Sequence, residues 1–221
     1  MKVVEIFKSI EGEGKRAGLP AVFIRLYGCN LNCSYCDTQY SCVGQKYKEM
    51  SIQEILEEVR IFKIPHITIT GGEPLIHERI GDLLKALLTT GYCINVETNG
   101  STSIPTFADI GFHYGSSLFF TVDYKCPSSG MEKFMCLDNY KDGILRECDV
   151  MKFVVGCSED LEVAKHILDT FHPMCVVYFS PVFGKIEPRE IVDFLLKNEL
   201  NSCRVQVQLH KIIWDPEKRG V

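Results

Sequence analysis

The 221-residue chain has no stretch approaching the roughly 20 uninterrupted apolar residues that a membrane-spanning helix requires, so no membrane partner is expected. Its first residues, MKVVEIFKSIEGEGKRAG, hold a short apolar run broken by charges and lack the apolar core of a secretory signal. Positive charge is also scarce. With 24 Lys and Arg against 29 Asp and Glu the net charge is −5, which argues against a surface built for a nucleic-acid backbone. Lys211 and the Lys218–Arg219 pair read as solvated ends. There is no Pro/Gly/Ser-rich linker, repeat or low-complexity tract, and 46% hydrophobic residues suffice for one core, so residues 1–221 are expected to form a single domain. Eleven cysteines are an odd number, mostly scattered, in a chain large enough to fold without staples. A reducing cytoplasm therefore fits better than a disulfide scaffold.

What the chain does contain is an alternation of short β-branched runs with longer amphipathic segments. Residues 3–7, 22–28, 66–72, 93–100, 117–123, 149–156, 175–182 and 203–213 read as strands. Helices are expected over 51–62, where Ser51 and Glu54 form a cap pair, over 78–91 ending at Gly91, over 159–171 capped by Ser158, and over 187–199. Strand followed by helix implies parallel pairing and an α/β fold, with the sheet either open or partly closed as a barrel. The unusual residues GGEP, ETNG, DYK, SPV and QLHK fall at the ends of successive strands. In parallel sheets those carboxyl ends form the working face.

The stretch GCNLNCSYCDTQY, residues 28–40, spaces three cysteines as Cys29-x3-Cys33-x2-Cys36. Zinc would need a fourth ligand such as Asp37 or a distant cysteine, and no second Cys-x-x-Cys occurs in the chain. An iron–sulfur cube on three thiolates is the alternative, with one iron left open to a small molecule. Of the other cysteines, Cys93, Cys175 and Cys203 begin apolar runs and read as core or strand-edge residues, while Cys42 and Cys126 lie nearer the candidate site loops.

The cysteine spacing, with Tyr35 before the last cysteine and Gly71-Gly72-Glu73-Pro74 after the next strand, resembles the radical S-adenosylmethionine (SAM) enzymes. That resemblance implies a partial TIM-like (β/α) barrel, a 4Fe-4S cluster on Cys29, Cys33 and Cys36, and SAM chelated to the open iron and cleaved to a 5′-deoxyadenosyl radical. The segments SIEGEGKRAGLPAVFIRLYGCNLNCSYCDTQYSC, HITITGGEP, NVETNG, VDYKCPSS and QLHKIIWDPEKRGV further resemble the 7-carboxy-7-deazaguanine synthase family over nearly the whole length.

The family resemblance implies a lyase that contracts 6-carboxy-5,6,7,8-tetrahydropterin to 7-carboxy-7-deazaguanine with loss of ammonia, on the route to queuosine-type bases. Ile10, Glu11, Gly12, Glu13, Arg25, Thr70 and His210 would contact the pterin. Tyr35, Asp37, Gly72, Glu97, Asn99, Asp123, Tyr124 and Lys125 would line SAM, and Thr38 would bind Mg2+. The chemistry is apt: a carboxylate accepts from the amidine-like pterin edge, and a guanidinium grips a carboxylate with two parallel bonds. The resemblance also implies a flavodoxin or ferredoxin as electron donor and a homodimer. Glu11 stands where many members carry Gln, and Asp123-Tyr124-Lys125 where Ser-Pro-Lys is common. Val221 either closes the site or lies outside it. A glycyl-radical-enzyme activase, sharing the cysteines and GGEP, is the alternative reading.

Overall fold

The computed structural model describes residues 1–42, 44 and 46–221. In chain order its elements are β1 (Lys2–Ile10), β2 (Pro20–Leu26), β3 (Lys48–Glu49), α1 (Ile52–Ile61), β4 (His66–Gly71), α2 (Ile80–Thr89), β5 (Cys93–Thr98) and α3 (Ala108–Tyr114). The second half adds β6 (Leu118–Lys125), β7 (Val150–Val155), α4 (Ser158–Phe171), β8 (Val176–Pro181), α5 (Pro188–Lys197), β9 (Cys203–Val205) and α6 (Leu209–Ile213). The strands form one nine-stranded sheet in the order β3-β1-β2-β4-β5-β6-β7-β8-β9. From β2 to β9 every pairing is parallel, while β1 runs antiparallel to both β2 and β3.

Successive side chains of a strand face opposite sides of the sheet, and that alternation divides this chain cleanly. Ile24, Leu26, Ile67, Ile69, Ile94, Val96, Val122, Phe153 and Phe179 are fully buried and form one core with Leu83, Leu84, Leu87, Ile55, Val59 and Ala164 of the helices. Burial of each such side chain contributes about 1.5–3 kcal/mol. The intervening residues include Arg25, Thr68, Thr70, Asn95, Glu97, Thr121, Asp123, Lys125, Lys152 and Ser180. They face the concave side, where a partial barrel encloses a polar lumen. Parallel strands covered on both faces usually read as unbroken hydrophobic runs. Here the polar alternation is the sign that the inner face is a site.

Among the described residues β1 and β9 are not hydrogen-bonded to each other as strands, so the barrel is partial. The gap is spanned instead by Leu209 N donating to Gly12 O (3.1 Å) and Gly14 N donating to Gln206 Oε1 (2.8 Å).

Most expected elements form, with three differences. The run 203–213 is strand only at Cys203–Val205, because Gln206 and Leu209 turn to bond the loop after β1, and His210 lies in the short helix α6. Ser158 does not cap α4 but is its first residue, and Cys157 stands at the cap position without a side-chain bond to the helix; Asp160, in the first turn, accepts from Gly156 N (2.7 Å) and Ser128 N (2.9 Å) outside it. β3 and α3 had no clear signal in the hydrophobic pattern. The Ser51–Glu54 capping box forms as read, with Glu54 N donating to Ser51 Oγ (3.2 Å) and Ser51 N to Glu54 Oε2 (2.7 Å).

The entry to β7 hangs on one buried carboxylate. Asp149 accepts from Phe120 N (2.9 Å), Arg146 N (2.8 Å) and the Arg146 guanidinium (3.0 and 2.9 Å), while Arg146 also donates to Gly111 O and Leu118 O. Asp149→Ala would leave the Phe120 amide and a half-buried guanidinium without their acceptor. It should lower stability by about 3 kcal/mol in urea denaturation, against about 1 kcal/mol for removing the α1 cap with Ser51→Ala.

Candidate active site

The loop carrying the three cysteines leaves β2 at its carboxyl end and is latched on two sides. On one side Gly28 N donates to Ser41 O (2.8 Å) and Glu73 N donates to Gly28 O (2.8 Å). On the other, Ser34 donates from its backbone to Ser129 O (3.0 Å) and from its hydroxyl to Ser128 O (2.6 Å). Ser128 is in turn held by the buried Asp160, so helix α4 fixes the loop from outside the barrel.

All eleven cysteines are free. Among the described residues no group of three metal-binding side chains is arranged to hold a single ion. Cys29, Cys33 and Cys36 nevertheless share one electrostatic neighbourhood. Burial pushes the Cys33 thiol up, Lys125 opposes this, and Cys36 and Cys29 push it further up. Leu31 N and Asn99 Nδ2 donate toward Cys29 Sγ at 3.4 and 3.7 Å. Thiols that feel one another without meeting at a point fit a cluster in which each sulfur takes a different iron. Cys42 lies beside this group, its thiol raised to about 11 by burial and by Cys29, whereas Cys126 is core.

Gly71 and Gly72 are required by contact. A Cβ on Gly71 would lie 2.1 Å from Leu26 O, and one on Gly72 would lie 2.0 Å from Gly28 O and 2.9 Å from Cys29 Cβ. The backbone of β4 therefore packs directly on the cysteine loop. Glu73, fully buried, accepts from Leu75 N (3.0 Å), Thr98 Oγ1 (2.8 Å) and Asn99 N (2.6 Å). Burial raises its carboxyl to about 7 despite those bonds. Glu73 thereby fixes Asn99, whose amide reaches Cys29 and Asn30.

Below the loop the lumen holds a chain of charges. Lys125 Nζ lies 2.6 Å from Asp123 Oδ2; Lys152 Nζ lies 3.2 Å from Asp123 Oδ1 and 3.3 Å from Glu13 Oε2. Glu13 also accepts from Ser180 Oγ (2.6 Å) and Gln206 Nε2 (3.4 Å). Burial opposes charge on Asp123, but Lys125 and Lys152 hold its carboxyl below the usual range. Both lysines lose hydration on burial, yet the facing carboxylates keep them charged well above the usual lysine range. Glu97 is the surplus acid: burial raises it to about 7, opposed by Lys152 and a bond from Thr70 and supported by the negative charges of Glu11 and Glu13.

Arg25 gives its Nε to Glu5 (2.7 Å) and lies over Phe7 and Tyr40 at 5.7 Å from each ring. Its terminal nitrogens have no protein acceptor among the described residues. Glu11 is placed differently from Glu13: at 1% exposure it accepts from Arg16 Nη2 (2.7 Å) and from the Thr68 hydroxyl. Arg16 also donates to Ile67 O and Cys93 O at the entrances of β4 and β5, so Glu11 belongs to a plug at the floor of the barrel. Gly12 lies against His210, where a Cβ would come within 2.2 Å of the imidazole Nδ1, and burial lowers the His210 pKa. Ile10 ends β1 just before this loop.

Tyr35 donates to Val154 O (3.3 Å), Thr38 Oγ1 stands 3.7 Å from Cys36 Sγ, and Asp37 faces Lys211 Nζ at 3.3 Å. Tyr124 is a correction. The strand alternation turns its side chain outward, 3% exposed, edge-on to Tyr140 and bonded to Glu132, so only its backbone borders the lumen. Sequence reading missed Lys152, Ser180, Gln206 and Arg16. A lysine inside the apolar run VMKFVV, at an inward position, was the available signal for the first. Val221 is half-buried, and the preceding Gly220 approaches Glu5, on the outer strands of the partial barrel.

A parallel partial barrel with a three-cysteine loop packed on a Gly-Gly strand end defines a radical SAM enzyme. The radical SAM superfamily profile matches residues 23–124. A Clostridium acetobutylicum protein named 7-carboxy-7-deazaguanine synthase is 46% identical, the alignment covering 100% of this chain and 99% of the relative. A namesake from Methanospirillum hungatei is 37% identical over 98% of this chain and 86% of its own. The crystal structure of QueE from Escherichia coli shares the fold, with a TM-score of 0.71 at 24% identity over 94% of this chain and 93% of that one. The chain belongs to the 7-carboxy-7-deazaguanine synthase family. Membership implies a 4Fe-4S cluster and SAM, which the cysteine loop and glycine pair fit.

Glu73 and Glu97 keep their protons to about 7 in the fold, but to only about 4.3 in the unfolded chain. Between those values the native state binds more protons, so the stability these groups contribute is full below the lower value and is lost as pH rises through the upper. The urea midpoint should fall between pH 5.5 and 8, and Glu97→Gln should flatten the fall. An unchanged slope in the variant would remove Glu97 as its source.

Proposed function

We propose that this chain converts 6-carboxy-5,6,7,8-tetrahydropterin to 7-carboxy-7-deazaguanine within the lumen below the cysteine loop. The observation that carries this reading is a matched pair of recognition groups. Glu13 offers carboxylate lone pairs to an amidine-like donor edge, and Arg25 keeps its terminal nitrogens free for a carboxylate. When bound, the cluster and SAM supply a carbon-centred radical able to take a hydrogen atom from the substrate.

The chain's own residues hold and enclose. Cys29, Cys33 and Cys36 carry the cluster; the Gly72 backbone, Asn99, Asp123, Lys125, Tyr35 and Asp37 face SAM. Glu97 also faces SAM, and Ile10, Thr70, Gly12, Glu13, Arg25 and His210 border the pterin. Glu11 acts through the Arg16 plug, keeping the 10–14 loop in register rather than touching the substrate edge itself. Thr38 would offer one hydroxyl to Mg2+, which would hold the substrate carboxylate. An activase that abstracts hydrogen from a protein backbone has no evident need for the Glu-Gly-Glu-Gly loop, Arg25 and Thr38, which disfavours that reading. The protein works as a single domain and as a homodimer in the cytoplasm, with a flavodoxin or ferredoxin as electron donor.

The test is an anaerobic incubation with SAM, reductant, Mg2+ and the carboxytetrahydropterin. A deazaguanine product and 5′-deoxyadenosine are expected together; 5′-deoxyadenosine alone would remove this substrate. Cys33→Ala should lose cluster iron and activity, and Thr38→Ala should weaken the magnesium dependence.

A further inference from the structure

We propose that Lys152 is a positioning residue for this reaction, its ammonium fixing Glu13 as an acceptor on the substrate side while anchoring Asp123 on the cofactor side. The inference rests on the pterin reading above and adds a residue to it. Lys152 projects from the middle of β7 into the lumen with 10% of its side chain exposed, 3.3 Å from Glu13 and 3.2 Å from Asp123. Its ammonium touches both the loop assigned to the substrate, at Glu13, and the strand assigned to SAM, at Asp123.

The charges around it leave no spare cation. Glu97 faces it from β5, Asp123 and Lys125 from β6, Glu13 from the loop after β1, and His210 from α6. Glu13, Glu97 and Asp123 are three carboxylates against two ammoniums, Lys125 and Lys152. Lys125 stands against Asp123 at 2.6 Å, so Glu13 depends on Lys152. The other partners of Glu13, the Ser180 hydroxyl and the Gln206 amide, are neutral. A buried carboxylate without a cation takes up a proton, and a protonated Glu13 no longer offers both oxygens to a donor edge. Flanked by two carboxylates, Lys152 itself stays charged and is no candidate for a base or a Schiff-base nucleophile.

The experiment is calorimetric titration of reconstituted enzyme, without reductant, with the unreactive probe 6-carboxypterin. Buffers of different ionisation enthalpy count the protons exchanged. Lys152→Met should bind about tenfold more weakly at pH 7, with more proton release than the parent, and recover toward the parent at higher pH as Glu13 ionises again. Lys152 also lowers the Glu97 carboxyl, so both proteins are compared again in a Glu97→Gln background, where the difference in proton release belongs to Glu13. Lys152→Arg, which keeps the charge, should stay close to the parent, and thermal melts of the same samples separate this effect from unfolding. Equal affinities at pH 7, or a loss equal at both pH values and not restored by arginine, would overturn the proposal. Failure of the parent to bind the probe would instead overturn the substrate reading, and the proposal with it.

Discussion

Charge buried inside the barrel must be paired, and the arrangement of the lumen follows from that requirement. An ion removed from water costs several kcal/mol unless a counter-ion and hydrogen bonds compensate. Asp123, Lys125, Lys152 and Glu13 meet this condition by forming one continuous chain across β6, β7 and the loop after β1. Glu97 shares Lys152 with Glu13 and Asp123, and burial raises its carboxyl to about 7 against that one cation. The pairing also fixes geometry. Dipoles and charges already oriented by the fold need no reorganisation when a reaction occurs beside them.

The cysteine loop is subject to a different constraint, steric rather than electrostatic. Gly71 and Gly72 let the end of β4 come into contact with Leu26, Gly28 and Cys29 at distances no side chain would permit. Glu73 then ties that contact to β5 through Thr98 and Asn99, and Asn99 returns to Cys29. From the opposite side, Asp160 holds Ser128, which accepts from Ser34 within the loop. The cysteines are thus positioned by groups at the ends of three strands, on the segment after β6 and on a helix, and little is left to the loop itself. That is what a site on irregular backbone needs if its ligands are to stand still.

Much of this was legible from periodicity and spacing. The strands announced themselves as β-branched runs, the working face as a series of polar strand ends, and the site by three cysteines and GGEP. Less was legible where the meaning of a residue depends on which way it faces. Glu11 and Glu13 are two positions apart in one motif, yet one closes the floor with Arg16 and the other lines the lumen with Lys152. Gln206 and His210 sat in what read as a strand, because their partners, Gly14 and Gly12, lie almost two hundred residues earlier. Such long-range pairings leave no local pattern. Tyr124 was misplaced for the opposite reason: a motif was carried over whole, although alternation alone assigns its side chain to the outer face.

That same tripeptide shows how one strand reconciles packing with chemistry. Where related sequences commonly have Ser-Pro-Lys, this chain has Asp123-Tyr124-Lys125. A proline lacks the amide hydrogen that a strand can use in its ladder. Tyr124 supplies one, and β6 remains in register with β7 through Lys125, opposite Val154. Its ring packs against Tyr140 and Phe153 in the outer core. The aspartate introduces a charge that serine would not, and that charge requires cations on both sides. Lys125 is adjacent on the same face, two residues on; Lys152 comes from the neighbouring strand, directly opposite in register. Substituting the first residue of the motif therefore demands a lysine elsewhere, and the side chain that meets the demand also reaches Glu13. In this chain β6, β7 and the loop after β1 are electrostatically one unit.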